Sequence, residues 1–152
     1  LINTDFKTNF KIKRPVLHKL LVNDYKLFSK YEPCIYPGVD TKFYCNKIYK
    51  NDGLCHCKIK CNGKGYGNGI GDCKKVTVAT FQSGSVIITG ARNMGQVIQT
   101  YEFIKQMFVD NYSKIIKILP FFVLEDEKQK KKKLLNKPYY IKKSLIKNRF
   151  ID

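Results

Sequence analysis

The residues best suited to chemistry in this sequence are Cys55, Cys57, Cys61 and Cys73, spaced C-x-C-x3-C-x11-C. Four thiolates in a short polar loop satisfy a tetrahedral zinc ion, and such an ion would order a segment with little core of its own. Cys45 and His56 lie nearby in sequence. The C-x-C pair is tighter than the spacing of ordinary zinc fingers, and reduced thiols in a glycine-rich loop are the alternative. Six cysteines without a visible secretory signal point to a reducing compartment, where metal ligands or free thiols outrank disulfides.

Other arrangements carry less chemistry. The run Gly63–Gly71 (GKGYGNGIG) fits neither the dinucleotide-binding nor the Walker spacing and reads as a loop. His18 and His56 have no evident carboxylate or nucleophile partner, and no carboxylate pair is placed for acid–base work. The sequence therefore reads as a non-enzyme. Its formal charge of +17, from 29 basic and 12 acidic residues, favours a polyanionic partner, nucleic acid before an anionic membrane surface. Nearly all of the basic residues are Lys, and Asn and Ile are abundant, the pattern of an AT-rich genome, so part of this charge is compositional. No apolar run approaches a membrane span.

These residues need elements to position them. Ile2–Ile12 alternates and reads as a strand. Val16–Val22 reads as a short helix entered through Pro15, Leu27–Cys34 as an extended piece, Tyr36-Pro37-Gly38 as a turn, and Val39–Lys47 as another strand. Val76–Phe81 and Ser85–Thr89 form a hairpin closed at Ser83-Gly84. Thr77, Ala79 and Phe81 share one face of the first hairpin strand, with Val76, Val78 and Thr80 on the other; in the second, Ile87 and Thr89 oppose Val86 and Ile88. Both faces are thus expected to be nearly apolar, unlike an ordinary one-sided antiparallel sheet. Asn93–Ile118 reads as a long helix with Val97, Ile98, Tyr101, Ile104, Phe108 and Tyr112 on its apolar stripe. It covers one face and leaves the other bare. Residues 119–152 form a Lys-rich tail containing KQKKKK.

The strings YEPCIYPG (31–38) and FQSGSVIITGAR (81–92), followed in register by Gln96, Val97, Tyr101 and Ile104, resemble the C-terminal repeat of TATA-binding proteins. The resemblance covers residues 2–116, interrupted by an insertion at 50–74. It implies an α+β half saddle: a curved antiparallel sheet of about five strands backed by two helices on its convex side. Residues 1–118 would form this repeat and 119–152 a basic arm. The concave face of the family lies in the minor groove of A·T-rich double-stranded DNA and kinks it with inserted side chains. Carried over by position, Tyr36 and Phe81 take the intercalating places. Thr77, Ala79, Ile87 and Thr89 take floor contacts, Asn3 the central hydrogen-bonding place, and Lys42 and Arg92 phosphate contacts. Glu32 and Ile35 match the stirrup that recruits a TFIIB-like initiation factor and, with it, the RNA polymerase machinery. Tyr36 replaces the family's Phe, Asp5 an apolar residue, Ser85 a Lys and Cys34 an acid.

The resemblance further implies a second repeat, from sequence outside this chain or from a homodimer, because the first strand is otherwise an unpaired edge. The chain opens on Leu1, as a processed product or a piece of a longer protein would. AT-rich composition and an inserted cysteine cluster resemble the version found in large DNA viruses, acting in the nucleus, a cytoplasmic viral factory or the virion. The leading expectation is a transcription initiation factor that binds and bends promoter DNA. A non-specific architectural or genome-packaging protein is the second, and a base-excision enzyme with a similar sheet the third.

Overall fold

In the computed structural model, which describes residues 1–59 and 61–118, the order of elements follows from the alternation and turn signals. They are β1 (Ile2–Lys7), α1 (Arg14–Asn23), β2 (Phe28–Lys30), β3 (Val39–Cys45), β4 (Lys74–Thr80), β5 (Ser85–Ala91), α2 (Met94–Asp110) and α3 (Tyr112–Ile115). The five strands make one antiparallel sheet in the order β1-β5-β4-β3-β2. The expected tail at 119–152, with its KQKKKK run, lies outside the described residues.

One face of the sheet is the core. Val39, Phe43, Val76, Val78, Val86, Ile88 and Ala91 are fully buried there against Leu17 and Leu21 of α1 and Val97, Ile104, Met107 and Phe108 of α2. Burying such side chains contributes roughly 1.5–3 kcal/mol each. Asn93 starts α2 by accepting the Gln96 N–H at 3.0 Å, which satisfies one of the unpaired amides of the first turn. Ile98 and Tyr112, expected on the stripe, are 55% and 47% exposed. Ile98 sits about 100° around the axis from Val97, off the packed face. Asn111 interrupts the expected single helix: its side chain donates back to the Met107 carbonyl and to the Tyr25 hydroxyl, both at 2.9 Å.

The first strand stops at Lys7 rather than Ile12. The chain then curls around the β4–β5 hairpin, with Thr8 N–H donating to the Gly84 carbonyl and Ile12 N–H to the Gln82 carbonyl. Ile12 ends fully buried, bridged to Ile116. The hairpin loop is Gln82-Ser83-Gly84, with Gly84 at φ +88°. A three-residue loop with glycine in the left-handed region keeps the strand twist.

The second face differs from the expected apolar surface. Register places Asn3, Thr89, Thr77, Lys42 and Phe28 in one row across the sheet, and Asp5, Ile87, Ala79, Asp40 and Lys30 in the next. Its apolar centre of Ile87 and Ala79 is therefore flanked by two carboxylates and two lysines. No helix covers this face among the described residues. Nor is any described helix long and apolar enough to cross a membrane.

Candidate nucleic-acid interface and cysteine cluster

The open face gathers the residues that the sequence singled out. Asn3, Thr77, Ala79, Ile87 and Thr89 share it, and the Thr89 hydroxyl donates to Asn3 Oδ1 across the β1–β5 pair. At the hairpin end, the Tyr36 and Phe81 rings meet with centroids 5.8 Å apart and planes at 65°. Gly38 makes this approach possible, since a Cβ there would lie 2.6 Å from Tyr36 Cε1 and 3.3 Å from Phe81 Cε1. Tyr36 is 43% exposed and Phe81 half-buried. The rings are thus presented at a rim of the sheet.

Arg14 braces this pair, and nothing in its sequence neighbourhood pointed to that role. Its guanidinium donates to the Pro37 carbonyl and, at 3.4 Å, to Gln82 Oε1, while standing 5.4 Å from the centre of the Tyr31 ring. One side chain of α1 therefore ties the turn carrying Tyr36 to the loop following Phe81. That bond spans 23 residues to Pro37 and 68 to Gln82, which local patterning does not reveal.

Two expected contacts have intramolecular partners. Lys42 Nζ bonds both Asp40 oxygens, at 3.0 and 3.1 Å, and the Thr77 hydroxyl at 3.0 Å. Asp40 was not foreseen. It stands on the open face and absorbs much of the charge that Lys42 would offer a phosphate. Asp5 on the same face is exposed. Arg92, just past β5, rests on Gly67 of the insertion, where a Cβ would lie 2.5 Å from its Nη1. Glu32 and Ile35 lie together in the β2–β3 connection, and the Glu32 carbonyl accepts the N–H groups of Ile35 and Tyr36, both at 2.9 Å. Ile35 is 80% exposed, and Glu32 pairs with Lys30 at 3.2 Å.

Cys55, Cys57, Cys61 and Cys73 come together with all four sulfurs within 4.8 Å of one another. The Cys55–Cys61 and Cys55–Cys73 separations are 3.6 and 3.8 Å. Ligands at about 2.3 Å from a tetrahedral zinc ion stand about 3.8 Å apart, so the donor set and spacing fit that ion. The Gly65 N–H donates to Cys61 Sγ at 3.3 Å. Burial raises the Cys61 pKa, but this N–H and the neighbouring thiols outweigh it and leave the pKa lowered. Burial and then its three neighbours push the Cys73 pKa well up. Gly69 lets the knot close: a Cβ there would lie 2.8 Å from Cys61 Cβ and 3.0 Å from Cys57 Sγ. Cys45 is excluded, buried against Thr100 and the Gln96 carbonyl. His56 turns instead to Asp52, with Nε2 2.8 Å from Oδ2, a carboxylate partner that the sequence did not make evident.

No protein-family model matches the chain, and no solved structure does. The chain is 35% identical over 126 residues to a protein of Acanthamoeba polyphaga mimivirus named TATA-box-binding protein-like. The match takes in 79% of this chain and 28% of that relative, so the chain spans little more than a quarter of the relative's length. The matching protein carries the family name that the two motifs pointed to, and the five-stranded sheet with helices on one face is the corresponding half saddle. Sequence and fold together identify the chain as TATA-box-binding-protein-like.

Proposed function

We propose that the open face is a minor-groove DNA interface that bends A·T-rich duplexes and so serves transcription initiation. The observation that carries this reading is the paired rings of Tyr36 and Phe81 at the rim of a face whose centre is Thr89, Thr77, Ile87 and Ala79. The minor groove of A·T pairs offers only acceptors on a smooth floor, which suits hydroxyl, amide and methyl groups. An aromatic pair entering a base step replaces the stacking that the kink removes. Glu32 and Ile35 form the exposed surface for an initiation factor, and the open β1 edge takes a second repeat or a second copy. Cys55, Cys57, Cys61 and Cys73 would hold a structural zinc ion and so order the insertion, whose described residues contribute only Leu54, Cys61 and Cys73 to a core.

The test is binding to an A·T-rich duplex against a G·C duplex at moderate salt, with a bend-sensitive fluorescence readout. Preference for the A·T duplex together with bending supports the reading. Equal affinity without bending refutes it and leaves a packing protein held by lysines alone.

A further inference from the structure

The geometry points to a second nucleic-acid contact: the cysteine-held lobe at 53–73 grips the phosphate backbone of the duplex beside the sheet floor. This rests on the DNA-binding reading above. Gly53 and Leu54 begin the lobe on the core side, whereas its Gly63–Gly65 stretch lies against the open face. Tyr44 and Lys75 are register partners on that face, next to the Lys42–Thr77 row. The Tyr44 hydroxyl donates to the Gly63 carbonyl at 2.6 Å, and Lys75 N–H donates to the Gly65 carbonyl at 2.8 Å. A Cβ on Gly65 would lie 2.5 Å from Lys75 Cβ and 2.9 Å from Tyr44 Cε1, so the backbone sits directly on these side chains. The exposed Lys64 between the two glycines is thereby set above the face, at the end of the sheet opposite the Tyr36–Phe81 pair.

Charge identifies the partner. Lys58 and Lys64, both exposed, belong to the lobe, and Lys74, Lys75 and Arg92 stand at its base. Against them stands Asp72, which Lys47 engages; that hydrogen bond and charge hold its carboxyl below the usual range. Four thiolates around a dication leave two negative charges, fewer than the surrounding cations supply. The surface is therefore cationic and fixed in place by the knot, suited to a polyanion with regularly spaced charges. Gly67 on the Arg92 guanidinium makes the lobe continuous with the expected phosphate contact just past β5.

The experiment compares the unmodified chain with the Lys58→Ala/Lys64→Ala double variant on an A·T-rich duplex with and without G·C flanks. Each lost phosphate contact lowers the slope of log affinity against log salt by about 0.9. The expected result is a slope reduced by about two contacts on the flanked duplex, with bending and bound metal unchanged. An unchanged slope and affinity overturns the lobe contact even where Phe81→Ala abolishes bending. A reduced slope in a chain that neither bends DNA nor prefers A·T pairs supports the lobe and refutes the minor-groove reading instead. As a second variant, Cys61→Ser releases the lobe while the sheet's circular dichroism is retained. It lowers the slope to the same extent if the knot positions the lysines, and leaves it unchanged if the lobe makes no contact.

Discussion

Tyr36 and Phe81 lie 45 residues apart in sequence, yet their rings meet 5.8 Å apart at the rim of the open face. Base–aromatic stacking contributes roughly 1–3 kcal/mol per base. Phe81→Ala is therefore expected to weaken binding to an A·T-rich duplex by about tenfold or more and to remove most of the bend. Fluorescence anisotropy and energy transfer across the duplex measure the two effects separately.

Tyr36→Phe is expected to hold or increase affinity. The tyrosine hydroxyl has no hydrogen-bond partner among the described residues, and burying it between bases leaves a polar group unsatisfied. A weaker Tyr36→Phe complex in the same titration would mean that the hydroxyl finds a partner on the DNA.

Arg14 positions the pair without facing the DNA. Arg14→Ala removes the ties to Pro37 and Gln82, and its expected signature is a reduced bend with the A·T preference kept. Arg14→Lys restores one tie at most, because an ammonium lacks the planar fork that spans two acceptors. The bend angle of the two variants, read beside their circular dichroism, checks this.

The two carboxylates on the open face are not equivalent. Asp40 is neutralised by Lys42, at 3.0 Å, whereas Asp5 is exposed beside Ile87. Two unit charges a few ångströms apart at a protein surface interact by roughly 1–4 kcal/mol. Asp5→Val is thus expected to tighten DNA binding severalfold and Asp40→Val to tighten it less. Lys42→Ala is expected to cost more than loss of an ordinary surface lysine, because it leaves Asp40 bare. Affinities of the three variants and of the Lys42→Ala/Asp40→Val double variant close the comparison.

Metal content follows from the cysteine geometry. The chain is expected to bind one zinc ion, seen as a mass increment in native mass spectrometry. Cys61→Ser is expected to lose it and Cys45→Ser to keep it, since Cys45 is committed to Thr100 in the core. Chelation should lower the melting temperature, because metal binding to a loop that is unordered without it is folding free energy.

Much of this protein is fixed by local pattern. The alternation of Val76–Phe81 and Ser85–Thr89, the Ser83-Gly84 turn and the repeat of Val97, Ile104 and Phe108 specify a hairpin and a covering helix, because pleat and helix periods are properties of neighbours in sequence. YEPCIYPG and FQSGSVIITGAR also marked the two ring-bearing segments, and the cysteine spacing marked the knot. What sequence alone left undecided is what lies across the sheet or between distant loops. Alternation says which residues share a face of one strand but not which strand stands beside it. The row joining Asp5 to Asp40, the engagement of Lys42, the brace by Arg14 and the seat of Arg92 on Gly67 therefore came only with the register and the fold. The same holds for the early end of β1 at Lys7, since the turn of Thr8–Ile12 around the hairpin is set by Gly84 and by the buried place awaiting Ile12. Periodicity is short-ranged, whereas charge pairing and ring contact depend on through-space distance, and only the closed sheet sets those distances.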